Sequence, residues 1–106
     1  MAISDELIQE ILKRVLSATR PDRVILFGSA ARGRMTRDSD IDLLVLAPAP
    51  GDTREEGLRI REKLRGLGFG FDVIVMQTDE FEESKEVIGG LAYPANKHGR
   101  VIYEVA

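Results

Sequence analysis

"FGSAARGRMTRDSDIDLLV" occupies residues 27–45 of this 106-residue chain. An apolar run ends at Phe27 and breaks at Gly28-Ser29. A stretch of polar and small residues follows, and a second apolar run begins with Asp40 and Asp42 at its mouth. The pattern reads as strand, tight turn, loop, strand. "RVILF" (23–27) and "IDLLVLA" (41–47) are β-branched and aliphatic, and the second is apolar on both faces after its start, as suits a central strand covered on both sides.

Outward from that stretch, Leu7, Ile8, Ile11, Leu12, Val15 and Leu16 recur at spacings of three and four. They predict an amphipathic helix over 5–16, with Ser4 as N-cap and Pro21 as its stop. Ser29 to Gly33 is expected to hold a short helix, 34–39 a loop and "PAPGD" (48–52) a turn. Thr53 to Leu67 reads as a helix despite Gly57, its alternating charges a solvated face and its apolar stripe core. "GFGF" breaks it, and "DVIVM" (72–76) is a third strand. A helix capped by Thr78 or Asp79 is expected to run to Ile88. Pro94 to His98 makes one more helical turn, and "RVIYEV" (100–105) a fourth strand. The order predicts an α/β (α+β) domain over 1–106, with a single mixed sheet of three to four strands flanked by helices.

Composition narrows the chemistry. A net charge of -3 supplies no global basic field for nucleic acid or anionic membranes. Four Phe, two Tyr and no Trp offer no stacking platform for bases. Without cysteine, disulfides, thiolate catalysis and zinc–thiolate sites are excluded. The apolar runs are too short to span a bilayer. The start of the chain lacks the apolar core of a signal peptide, so a cytoplasmic setting is expected.

Asp40 and Asp42 lie two apart at the start of a strand, which predicts that both point to one face. Neighbouring carboxylates repel unless a cation joins them or one stays protonated. Mg²⁺ suits such a pair, because it takes one or two carboxylates together with phosphate oxygens and water. Asp72 opens the third strand and completes the cluster if the second and third strands are neighbours, since adjacent strands lie about 4.8 Å apart. Gly28 lets a phosphate approach the backbone, and Ser29 adds a hydroxyl at a helix start, where N–H groups favour anions. Arg32, one turn on, reaches a triphosphate oxygen with a charge-assisted bond. Gly33 permits the tight exit, and Arg34 and Arg37 add positive charge around the loop. Alone, a D-x-D is commonly a solvated turn, a Gly-Ser a plain turn, and Asp72 a strand-edge acid. Their conjunction is what points to a phosphate cradle beside a metal cluster.

The remaining polar residues have plainer readings. His98 closes a turn before Gly99, a C-cap, and Tyr93 and Tyr103 are half-buried packing residues. Gly68 and Gly70 are turn residues leading into Asp72.

"GSAARG" followed by "SDIDLLV" resembles the signature of the DNA polymerase β-type nucleotidyltransferases. With the short length and the C-terminal "GRVIYE", the chain is most similar to the minimal nucleotidyltransferase family. The resemblance implies transfer of a nucleoside monophosphate, AMP from ATP, to a hydroxyl with release of pyrophosphate. It implies that Gly28, Ser29, Arg32 and Ser39 bind nucleotide. Asp40, Asp42 and Asp72 would hold one or two Mg²⁺ ions and form the catalytic cluster, with Asp72 helping to activate the acceptor. It also implies a small helical HEPN-type partner, with this chain as antitoxin to its toxin, and no direct nucleic-acid or membrane binding. The stretch after Asp72 is too short for another sizeable core. The acceptor site is therefore expected to be completed by a partner or a second copy, in a homo- or hetero-oligomer. Two alternatives remain open: a non-catalytic antitoxin that neutralises a HEPN toxin by binding, and a transferase acting on an aminoglycoside-like small molecule.

Overall fold

The computed structural model describes residues 3–36 and 38–105. Arg37, expected to lend positive charge to the loop, lies outside the described residues. Helix α1 spans Asp5–Ala18, and the Ser4 hydroxyl accepts from the Leu7 N–H, as the capping pattern predicts. Strand β1 is Arg23–Phe27, the one-turn helix α2 is Gly28–Ala31, and β2 is Ile41–Ala47. Helix α3 is Thr53–Lys63, β3 is Phe71–Gln77, α4 is Thr78–Ser84, α5 is Ala92–His98 and β4 is Arg100–Glu104. The four strands form one mixed sheet in the order β3-β2-β1-β4. β1 pairs antiparallel with β2 and β4, whereas β2 and β3 are parallel and joined through α3.

The two sheet faces carry different covers. Ile41, Leu43 and Val45 of β2 join Val24 and Leu26 of β1 in a large core with α1 and α3, through Ile8, Ile11, Val15, Ile60 and Leu64. Leu44 and Leu46, on the opposite face, pack with Ile25, Phe81 of α4, and Ala92 and Ala95 of α5. This second layer is thin, and the open end of that face is where Asp42 lies. Arg14 ties α1 to α3, its guanidinium donating to the Lys63 carbonyl at 3.3 Å and the Arg65 carbonyl at 2.8 Å. The Lys63 carbonyl ends α3 without an intrahelical donor, and this arginine supplies one.

Three expectations are revised. α3 ends at Lys63 rather than Leu67, because the chain turns through Gly66 and Gly68, both at positive φ. Leu64 is still fully buried, so the apolar pattern outlasts the helix. α4 ends at Ser84 rather than Ile88, and neither Thr78 nor Asp79 caps it. The Thr78 hydroxyl donates instead to Asp22 at 2.7 Å, fastening α4 to the start of β1. Gly99 is the C-cap of α5, as expected, with an extended backbone. Glycine is required there for space, since a Cβ would overlap the Ala95 carbonyl oxygen and Ile25 Cγ2.

Among the described residues, no helix is long and apolar enough to cross a membrane. The N-cap of α3 is Asp52, whose carboxylate accepts from the Arg54 and Glu55 N–H groups at 3.1 and 3.2 Å. Asp52→Ala leaves both donors without that partner. It is expected to cost about 1 kcal/mol, read as a lowered midpoint in urea unfolding with an unchanged slope.

Candidate active site

The register places the two strand acids together. Asp42 of β2 pairs with Asp72 of β3 on one side and with Phe27 of β1 on the other. In a parallel pair, residues in register share a face, so Asp42 and Asp72 stand side by side. Gly28 follows Phe27 directly, which sets the Gly-Ser turn against Asp42. Its φ of 68° favours glycine, and a Cβ there would run into Asp42 Oδ2. The glycine therefore serves both the turn and the space around the carboxylate.

Asp40 precedes β2 and is exposed, and its carboxylate leans over Gly70, where a Cβ would overlap Asp40 Oδ1. The Ile41 N–H bonds the Gly70 carbonyl at 2.9 Å, which holds the entries of β2 and β3 together. Asp40 remains close enough to repel charge on Asp42. Among the described residues, however, no group of three or more His, Asp or Glu is gathered as a ready metal cage. The structure thus brings Asp42 and Asp72 together, with Asp40 beside them and turned toward Gly70.

The electrostatics favour a cation. Burial, then the charge of Asp72, a hydrogen bond shared with Asp72 and the charge of Asp40 push the Asp42 carboxyl up to about 6. The donor set is oxygen only, it enters no ion pair among the described residues, and the glycine cradle leaves room beside it. These features fit a hard divalent ion such as Mg²⁺. The raised value also sets a sign for stability. The folded state holds a proton on Asp42 that the unfolded chain, near 3.8, releases earlier. In chelator, the contribution of Asp42 is therefore greatest below pH 4 and is lost as pH rises through 6. Thermal melts of the native chain and of Asp42→Asn check this, and the native chain is expected to lose ground to the variant across that window.

The other predicted residues are distributed around this pair. Gly28 and Ser29 open α2, so their N–H groups are not consumed by intrahelical bonds. Arg32 caps the end of α2 and is exposed. Gly33 adopts a φ of 67°, the tight exit expected of it. Ser39 is engaged locally: its hydroxyl accepts from the Thr36 N–H at 2.9 Å and lies 3.1 Å from the Thr36 hydroxyl. It shapes the turn that delivers Asp40. Met35, read only as loop, is buried in the main core and pins the segment between α2 and β2. Gly70 was legible as a turn residue, but its service to Asp40 depends on a neighbour thirty positions away.

A nucleotidyltransferase domain model matches residues 6–93, which include every residue of this site. The chain belongs to the nucleotidyltransferase domain family. Solved structures agree in fold. One is a toxin–antitoxin crystallised with AMP-PNP, at 22% identity and a TM-score of 0.73, covering 92% of this chain and 73% of that one. A mutant of the toxin–antitoxin MntA–HpeT follows at 18% identity and a TM-score of 0.69, covering 92% and 73%. A proposed nucleotidyltransferase from Sulfolobus solfataricus matches at 24% identity and a TM-score of 0.62, covering 93% and 78%. No curated protein matches the chain. Within this nucleotidyltransferase domain the Gly28-Ser29 turn lies against Asp42, and Asp72 stands one strand further on.

Proposed function

We propose that this nucleotidyltransferase is a single minimal domain that transfers AMP from ATP to a hydroxyl of a partner protein. In this reading it is the antitoxin of a pair with a small helical HEPN-type toxin, working in the cytoplasm. The observation that carries the transfer chemistry is the Asp42–Asp72 register beside Gly28. The toxin–antitoxin assignment draws on the fold likeness to the two toxin–antitoxin structures.

The roles follow from position. The N–H groups of Gly28 and Ser29, the Ser29 hydroxyl and the Arg32 guanidinium receive the β- and γ-phosphates and offset charge as pyrophosphate leaves. Asp42 and Asp72, with Asp40 turned in from Gly70, would hold Mg²⁺. When bound, the ion supplies charge stabilisation to the attacking and leaving oxygens. The acceptor oxygen forms a bond to the α-phosphorus, the bond from that phosphorus to the β-bridging oxygen breaks, and pyrophosphate departs. The hydroxyl proton passes to Asp72, the acid nearest the open edge of the sheet. Positioning and electrostatics carry the reaction, and no covalent enzyme intermediate is needed.

The test incubates the chain with labelled ATP, Mg²⁺ and the protein encoded beside it. Label on that protein with the native chain, and none with the Asp40→Asn/Asp42→Asn double variant, supports the reading. Equal labelling by both would sink it. Full neutralisation of the partner by the unlabelling variant would instead favour an antitoxin that acts by binding.

A further inference from the structure

Beyond the nucleotide end, the open edge of β3 adjoins a groove. We propose that this groove, between α3 and β3, docks an extended acidic segment of the partner protein carrying the acceptor hydroxyl, with Arg54 and Arg61 selecting it. The inference rests on the transferase reading above and adds the direction of approach and the chemistry of the acceptor chain.

Direction comes from the sheet order. Read across β1, β2 and β3, the sheet presents Gly28-Ser29, then Asp42, then Asp72, and then an unpaired edge. An in-line displacement sets the attacking oxygen opposite the leaving group. With pyrophosphate leaving on the β1 side, the acceptor arrives over β3.

A groove lies where that approach begins. Its cavity of about 300 Å³ is walled by Arg54, Gly57, Leu58 and Arg61 of α3 and by residues 71–75 of β3, Asp72 included. At its floor Gly57 lets α3 lie close against β3, since a Cβ there would lie 3.2 Å from the Val73 carbonyl oxygen. Leu58 is 56% exposed on one side and Ile74 38% on the other, which gives apolar contact on both faces of the edge. Because α3 connects two parallel strands, it runs opposite to β3. Arg61 thus lies toward Asp72 and Arg54 toward Val75.

Charge selects the occupant. Arg54 and Arg61 are exposed and carry no ion pair among the described residues, whereas neighbouring Arg65 is held by Glu62 at 2.9 Å. An extended chain along an edge sends successive side chains to opposite faces. The residues on either side of the acceptor hydroxyl then turn toward α3 and its two guanidinium groups, where acidic side chains fit. The hydroxyl residue turns toward the face of Asp72 and Ile74. A nucleic-acid strand fits less well, because its phosphates would meet Asp40 and Asp72, whereas a peptide presents a neutral hydroxyl there.

The test uses two labelled peptides, each with one central tyrosine, flanked by glutamates in one and by lysines in the other. Anisotropy is measured with the full chain, Mg²⁺ and a non-hydrolysable ATP analogue. The glutamate peptide is expected to bind about tenfold more tightly, and Arg54→Glu/Arg61→Glu to reverse the order. Both arginines lie on the exposed face of α3, so binding of a fluorescent ATP analogue by that variant reports an intact fold and nucleotide end. Equal binding of the two peptides by the native chain, an unchanged order in the variant, or displacement of the glutamate peptide by an oligonucleotide would overturn the groove assignment. Absence of ATP-analogue binding by the native chain would overturn the transferase reading instead, while the peptide preference is scored separately.

Discussion

Asp42→Asn is expected to lower nucleotidyl transfer by about two to three orders of magnitude, the scale of losing one preorganised charged group at a reacting centre. The same substitution is expected to raise the melting temperature in chelator at pH 8. Those two signs together separate function from scaffolding. Asp42 stands against Asp72 and close to Asp40, and its carboxyl is pushed up to about 6 by burial and those charges. An isosteric amide keeps the shape and removes the repulsion. A residue serving the fold would lose both quantities together. Transfer is read from labelled product under single turnover, and stability from a thermal melt of the same samples. Added Mg²⁺ is expected to stabilise the native chain and to leave the variant largely unmoved, because a ligand bound to the native state raises its stability by mass action.

Gly28→Ala is the second large effect. Its φ of 68° lies where an alanine costs about 1–2 kcal/mol. The added Cβ would also collide with Asp42 Oδ2. The carboxylate must move, and it does so where the phosphate end meets the acidic pair. Transfer is expected to fall at least about a hundredfold, with weaker binding of a fluorescent ATP analogue. Unlike Asp42→Asn, this change lowers the melting temperature as well. A variant that retained tight nucleotide binding would show that the turn has no part in the site. Comparing the two substitutions therefore distinguishes a residue held at a cost in stability from one needed by both turn and site.

The contrast between them also explains what could be read from residues alone. β1 and β2 were legible to their ends because both faces of each are covered, which leaves unbroken apolar runs such as "LLVLA". β3 is an edge strand, alternately buried and exposed, and its ends at Phe71 and Gln77 are set by pairing with β2 rather than by its own composition. The acidic cluster was suggested by spacing, but that Asp72 stands beside Asp42, not across the sheet, depends on β2 and β3 being neighbours. No local pattern states that adjacency. The glycines divide the same way. Gly28, Gly33 and Gly70 were legible as turn residues and Gly99 as a cap, whereas the space that Gly57 and Gly70 leave answers to Val73 and Asp40, partners distant in sequence. The Ser39 hydroxyl meets Thr36 and sets the loop that presents Asp40, a local role that its place in "SDID" does not state.

The central claim is that the carboxylates of Asp42 and Asp72 share one divalent ion at the edge of the Gly28 turn. Mn²⁺ added with a non-hydrolysable ATP analogue tests it most directly, through paramagnetic broadening of backbone amide signals. Broadening is predicted to centre on Gly28, Asp42 and Asp72 and to vanish in Asp42→Asn. An ion centred elsewhere on the chain, or broadening that Asp42→Asn leaves unchanged, would contradict the account.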